Sequence, residues 1–380
     1  MKSVGAVIGV TCLFVLSGRA QTLPPLRYLE PMFTPAVTSG VLFGRNLNPW
    51  TSAQQDLFLD VYQPAGDTAQ ARPAIVYVHG GLFWYGSRID GPVLLNCNHF
   101  CSLGYVCFAI DYRLATSYNH GGLMPDAMAE DIKAAVRFVR KNATTYRIDP
   151  ERIALAGDSV GGDGSLTASQ TTWEGSSGNP GYRSDVNCVL EYWGYPHMQI
   201  TNPKCAIAIV HGTADPAVSF TLAQQIASQA SLAGAPNRLI ALPGAGHSPW
   251  DRWNTFIPEA TGFLYEVLAL QQASGIAARA GWSSPGSLTL RAAGWEGQTL
   301  FWFMSLRSGQ LPVLTWGTLY LDPLALFSIG QTGFPIGSAA STQTVTLTVP
   351  GGFQGNLYWQ GVYAGGVKPV RFSNLVTTLF

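Results

Sequence analysis

"LAGDSVGGDGS", Leu155–Ser165, sets a serine between glycines just where the apolar run "RIALA" gives way to small residues. Gly157 and Gly161, two before and two after Ser159, let a strand turn sharply into a helix without a Cβ clash. The Ser159 hydroxyl would then stand clear at the C-terminal end of a sheet. The N-terminus of the following helix adds positive potential there. A serine at its free pKa is a weak nucleophile, so the chain must also supply a base and a carboxylate to orient it.

The flanking sequence has the form such a turn requires. "DLFLDVYQP" alternates like a half-buried strand, whereas "PAIVYVHGG" and "YVCFAIDYR" are continuous apolar runs suited to strands covered on both faces. "GPVLLNCNHFCSLG" predicts a helix ended by Gly104. "MPDAMAEDIKAAVRFVRKNA" has helical spacing with acids early and bases late. "CVLEYWG", "CAIAIVHG", the helical "SFTLAQQIASQASLAG", "RLIALPG" and a last helix in "WNTFIPEATGFLYEVLALQQ" complete the alternation, which starts at about Asp56. The pattern predicts an α/β domain with a mostly parallel sheet and helices on both faces.

His247, in "LPGAGHSPWD", falls in a loop between the last strand and the last helix and is the candidate base. His211 ends a strand and reads as a hydrogen-bonded structural residue; His99, His120 and His197 carry no accompanying signal. Asp215, in "HGTADPAV", follows a strand in a turn closed by Pro216 and is the candidate orienting acid. Asp158 and Asp163 neighbour the turn and read as its supports, and Asp251 as an acid at the start of the last helix. The chain order serine, acid, histidine is that of one hydrolase architecture. In "YVHGGLFWYGS" two glycines after a strand leave backbone N–H groups for an oxyanion. Gly80 and Gly81, with the N–H of Val160, are the candidate donors, and Leu82 is the alternative to Gly80. Leu82, Phe83, Trp84 and Tyr85 flank this turn, and Trp193 and Tyr195 follow another strand. Leu82, Trp84, Tyr85 and Trp193 are the candidate substrate contacts.

"HGG", "GDSVGG", "HGTADPAV" and "GAGHSPW", in this order, with "DYRLA" at Asp111–Ala115, resemble the α/β-hydrolase superfamily. The resemblance is to its esterase/lipase branch, near the hormone-sensitive-lipase-like and acetyl-xylan/feruloyl esterases, and spans roughly residues 40–270. It implies ester hydrolysis through an acyl-serine intermediate and no cofactor. Relatives carry a third glycine where Leu82 stands and alanine where Val160 stands, departures that bear on the shape of the acyl pocket. Two other readings remain. The same three residues on this fold also cleave amides in prolyl peptidases and arylformamidases. Alternatively, the chain is a carbohydrate-binding or adhesion protein, with a C-terminal β domain as the working part and the hydrolase domain as scaffold.

Composition narrows the partners. Acids and bases balance at 22 each, with 12% charged and 47% hydrophobic residues, so no basic excess draws nucleic acid or an anionic membrane. No zinc-finger spacing or H-E-x-x-H is present, and no metal is expected. Lys2, the short apolar stretch Val4–Leu16 and small residues at Gly18 and Ala20 predict an export signal over residues 1–20, cleaved before Gln21. The mature protein would then be secreted, periplasmic or held at the cell surface, without a membrane span. In an oxidising compartment some cysteines should pair. Cys188 and Cys205, each opening a strand-like run, would meet if those strands are parallel neighbours. Cys97 and Cys101 are one helical turn apart, and Cys107 reads as a free thiol.

The catalytic domain is placed at 21–272 and a linker at 273–285. After it, short alternating runs such as "TLFWFMSL" and "NLYWQGVYA" recur at roughly ten-residue spacing, which predicts an all-β, sandwich-like domain over 286–380. Trp282, Trp295, Trp302, Trp316 and Trp359 would offer stacking surfaces for polysaccharide if they face solvent.

Overall fold

The computed structural model describes residues 27–117 and 124–270, and the backbone of the strands between 278 and 379. The expected export signal, His120 and the side chains of the five C-terminal tryptophans lie outside the described residues. The chain divides into two compact units, one of them Arg27–Leu270.

In the first unit eight strands form one sheet: β1 (Pro35–Asn48), β2 (Ala53–Pro64), β3 (Arg72–Val78), β4 (Val106–Ile110), β5 (Ile148–Asp158), β6 (Cys188–Tyr192), β7 (Ala206–Gly212) and β8 (Asn237–Leu242). Their order is β1-β2-β4-β3-β5-β6-β7-β8. β1 and β2 are antiparallel to their neighbours and the rest are parallel, so the mostly parallel sheet is as expected. The central strands β3, β4, β6 and β7 are buried at every position, which suits their β-branched and aromatic content. β1 was not signalled by the sequence. It is an edge strand with most side chains in solvent, so it carries no strong apolar alternation.

The helices are α1 (Gly91–Leu103), α2 (Met124–Lys141), the short α3 (Ala143–Tyr146), α4 (Val160–Gln170), α5 (Phe220–Ala233) and α6 (Trp253–Val267). α1 stops at Gly104, whose φ of 110° is left-handed, and α5 starts at Ser219, whose hydroxyl accepts from the N–H of Thr221. One face of the sheet is covered by α1 and α6, joined through His99 Nε2 and Thr261 Oγ1 at 3.3 Å. α2, α4 and α5 share the core on the other face, with Met128, Ile132, Leu166 and Ile226 among its members.

"DYRLA" leaves β4 and delivers Arg113 into the protein. The guanidinium Nε donates to Asp131 at 3.0 Å, Nη2 to Glu130 at 2.7 Å and Nη1 to the Leu47 carbonyl at 2.7 Å. Asp131 is fully buried and also accepts from Ser177 Oγ at 2.6 Å. One cation thus ties the edge hairpin, the end of β4 and α2 together, with the charge-assisted geometry a buried pair requires.

Cys97, Cys101, Cys107, Cys188 and Cys205 are all buried free thiols. The expected Cys188–Cys205 bridge is therefore corrected. β6 and β7 are parallel neighbours, but the register partner of Cys188 is Ala206. Cys205, one residue earlier, points to the opposite face of the sheet.

In the second unit the described backbone is strand. Ser287–Gly294 lies between Ala278–Ser284 and Ser341–Thr348 in an antiparallel sheet. Gln298–Ser305 lies between Leu326–Gly333 and Asn356–Gly365, and the last of these also pairs with Arg371–Phe372 and Val376–Leu379. Ser308–Val313 pairs with Gly317–Leu321. The strand Ala278–Ser284 occupies much of the span expected as a linker, because its backbone is taken up in pairing with Ser287–Gly294.

Candidate active site

The turn that follows β5 has the expected conformation. Ser159 has φ 52° and ψ −123°, a left-handed value rare for a residue with a Cβ, and α4 begins at the next residue. A methyl group on Gly161 would strike the carbonyl oxygens of Val78 and His79, which explains the glycine. The N–H of Ser159 is fixed by the Tyr192 carbonyl at 2.8 Å.

The two other chain ends reach this turn because the loops after β7 and β8 are hydrogen-bonded to each other. Ala214 N–H donates to the Ala245 carbonyl at 3.0 Å, and Gly244 N–H to Thr213 Oγ1 at 2.9 Å. Asp215 closes its own turn, since Oδ1 accepts from the N–H groups of Ala217 at 2.8 Å and Val218 at 3.0 Å. Its Oδ2 is left for His247 Nδ1 at 2.8 Å. On the far side of the ring, His247 Nε2 lies 3.1 Å from Ser159 Oγ. With Nδ1–H donating to the carboxylate, Nε2 is the acceptor for the serine hydroxyl. Burial raises the Asp215 carboxyl, but the Val218 N–H, His247 and the Ala217 N–H outweigh it and hold it below the usual range. The carboxylate therefore stays charged beside the imidazole.

The other histidines divide as follows. His211 is fully buried, its Nε2 donating to the Val218 carbonyl at 2.9 Å and lying 3.3 Å from Asp215 Oδ2. Burial lowers its pKa, so it is a neutral structural neighbour of the acid. His99 belongs to α1, and burial lowers it to about 4. His197 pairs with Asp163 at 2.8 Å, a contact its sequence context did not signal. Asp251 lies in the 3-10 turn Trp250–Arg252 that precedes α6.

The turn after β3 corrects one expected donor. Gly80 N–H is already committed, donating to Asp158 Oδ1 at 3.2 Å, and Tyr77 OH donates to the same oxygen at 3.0 Å. Gly80 thus supports the turn and cannot also point into the cleft. Gly81 and Leu82, the next two residues, have φ of 115° and 52°, and their N–H groups have no partner among the described residues. The Val160 N–H, at the first position of α4, likewise has no partner among the described residues. Leu82, Trp84 and Tyr85 are exposed beside this turn, whereas Phe83 is buried.

Trp193, expected to touch substrate, is 0% exposed. A left-handed φ of 45° turns the chain back at this residue, and its ring packs edge-on to Trp250 at 4.6 Å and against Phe256 at 6.0 Å. It is a core residue behind the site.

Burial also raises three carboxyls under the elbow, Asp158 to about 6, Asp163 to about 6 and Glu191 to about 8. Glu191 is fully buried and accepts from the Gly194 N–H. Its folded pKa lies above the ordinary glutamate value of 4.5, so the folded chain keeps a proton that the unfolded chain releases. This contribution to stability is complete below about 4.5 and is lost as pH rises through about 8. Glu191→Gln, which keeps the hydrogen bond to Gly194, is expected to flatten the fall of the thermal midpoint across this window. Asp158 and Asp163 leave a residual slope of the same sign. Melting curves of both proteins over the pH series check it; equal slopes would refute it.

Among the described residues, no group of three or more His, Cys, Asp or Glu side chains could hold a metal ion, and no helix is long and apolar enough to cross a membrane.

Comparison with known proteins agrees with the resemblance read from the motifs. Residues 59–195 match the BD-FAE family. Arylacetamide deacetylase-like 2 of Homo sapiens is 33% identical over 150 residues, which cover 39% of this chain and 35% of that protein. Carboxylesterase NlhH of Mycobacterium tuberculosis is 36% identical over 98 residues, 26% of this chain and 29% of that protein. The chain thus spans about a third of the length of these curated relatives. Among solved structures, Thermogutta terrifontis esterase 2 phosphorylated by paraoxon is 25% identical with a TM-score of 0.50, covering 64% of this chain and 98% of that one. The similarity is to the esterase branch of the α/β-hydrolases.

Proposed function

We propose that this protein is a serine carboxylic-ester hydrolase acting through an acyl-serine intermediate. The observation that carries the reading is the unbroken series Ser159 Oγ, His247 and Asp215, with steps of 3.1 and 2.8 Å. Ser159 Oγ attacks the ester carbonyl carbon while its proton passes to His247 Nε2. Asp215 stabilises the imidazolium. The N–H groups of Gly81, Leu82 and Val160 receive the developing oxyanion, aided by the N-terminus of α4. The imidazolium then protonates the leaving alcohol oxygen, and water, activated by the same nitrogen, releases the acid from Ser159.

Leu82, Trp84 and Tyr85 form an apolar rim beside the oxyanion turn, which suits short-acyl or aromatic esters, free or on a polymer. In our reading residues 1–20 export the chain and residues 286–380 form a small β-sandwich domain.

Diethyl p-nitrophenyl phosphate tests the assignment. Attack by Ser159 Oγ on phosphorus expels p-nitrophenolate and leaves a diethylphosphoryl group on that oxygen. The expected result is one adduct, on the peptide containing Ser159, with parallel loss of p-nitrophenyl acetate turnover. Turnover that survives stoichiometric labelling, or an adduct elsewhere, would overturn the proposal. Faster cleavage of p-nitroacetanilide than of the matched ester would favour the amide-cleaving reading.

A further inference from the structure

His197 lies in the segment between β6 and β7, outside the catalytic series. Its Nε2 stands 2.8 Å from Asp163 Oδ2, and the Asp163 side chain is 0% exposed while the imidazole is 32% exposed. Asp163 lies one helical turn beyond Ser159, its N–H donating to the Ser159 carbonyl at 3.1 Å. Neither Asp163 oxygen has a well-directed hydrogen-bond partner among the described residues, so the 2.8 Å approach of His197 Nε2 is what answers this buried carboxylate. The same imidazole lies 6.2 Å from the Phe83 ring on the oxyanion turn and 4.6 Å, nearly edge-on, from Tyr195. One ring therefore joins the helix that carries the nucleophile, the oxyanion turn and the loop after β6.

We infer that His197 is a positioning residue whose contact with Asp163 fixes the loop after β6 as the acyl-side wall of the cleft, and so sets which acyl groups fit. This rests on the ester-hydrolase reading. In the tetrahedral intermediate the carbonyl carbon bears Ser159 Oγ, the oxyanion facing Gly81 and Leu82, the alcohol oxygen beside His247 Nε2, and the acyl chain. His197 stands beside Phe83 on the oxyanion turn, so its loop borders the fourth direction. A bulky side chain at 197 tied to a buried anion makes that wall stiff. The wall excludes long acyl chains and leaves the alcohol side untouched.

The test is a series of p-nitrophenyl esters with acetyl, butyryl and octanoyl groups, set against a series of acetates with different alcohols. In His197→Ala the octanoate-to-acetate ratio of kcat/KM is expected to rise about tenfold, the lower end of what one pocket contact confers. The change should be carried by KM for the long ester. His197→Gln, which can still donate to Asp163, should return the ratio toward that of the parent. Should the alanine variant fail to fold, His197→Asn, too short to reach Asp163, carries the same test. A loss of folded protein alone would scale all esters equally and leave the ratio unchanged, and an unchanged ratio in a folded variant overturns the inference. A shift confined to the alcohol series overturns it too. The Ser159→Ala variant keeps the two readings separable, since turnover surviving there would instead remove the hydrolase assignment.

Discussion

Under the proposed mechanism, Ser159→Ala is expected to lower kcat for p-nitrophenyl acetate by a factor on the order of a millionfold, the loss that follows when a serine nucleophile is removed from a triad. Everything else in the cleft stays in place. His247 keeps its bond to Asp215, and the N–H groups of Gly81, Leu82 and Val160 keep their directions. A residual rate of about 10³–10⁴ over water is therefore expected, from oxyanion stabilisation and binding alone. Alanine retains the Cβ, and with it the left-handed backbone of φ 52°, so the circular dichroism spectrum and thermal midpoint should match those of the parent. A folded variant that keeps more than about one part in a thousand of the parent kcat would show that another group attacks the ester.

Asp215→Asn is expected to lower kcat by about 10⁴-fold with KM little changed. The reason lies in the turn that Asp215 closes. Oδ1 accepts from two backbone N–H groups, those of Ala217 and Val218. An asparagine must place its carbonyl oxygen there, because an NH₂ group facing two donors would leave all of them unsatisfied. The amide NH₂ is then forced to the Oδ2 position, opposite His247 Nδ1. It donates where the carboxylate accepted, the imidazole takes the tautomer with its proton on Nε2, and the serine hydroxyl loses its acceptor. His211 Nε2, 3.3 Å from the same oxygen, is a further donor facing the new NH₂. Steady-state kinetics with p-nitrophenyl acetate measure the effect. A loss below about tenfold would mean that Asp215 does not set the tautomer.

The alternation of strands and helices, and three of the four candidate-site segments, were legible because each carries a local signal. Ser159 is announced by its glycines and by the apolar strand before it; Asp215 follows the apolar run Ala206–Val210 of β7, and His247 the shorter run Leu239–Leu242 of β8. Gly80 was misassigned because a pair of glycines gives no clue to which N–H turns outward. That is decided by Asp158, whose carboxylate approaches from a strand 78 residues away in sequence. Trp193 was misread for a similar reason: aromatic residues after a strand look alike whether they face the cleft or the core, and only the left-handed φ of 45° turns this one inward. His197 was passed over because its partner is buried on another element, and a lone histidine in a loop has no periodicity. The cysteine pairing failed on register, which a one-residue offset reverses.

The backbone twist at Ser159 sets two kinds of fitness against each other at one residue. Glycine would relax that twist, of a kind that costs of order 1–3 kcal/mol in a residue with a side chain. A laboratory selection for heat tolerance alone would thus drift toward glycine there and enrich sturdy, inert descendants. Any campaign to harden this protein must screen for turnover in every round.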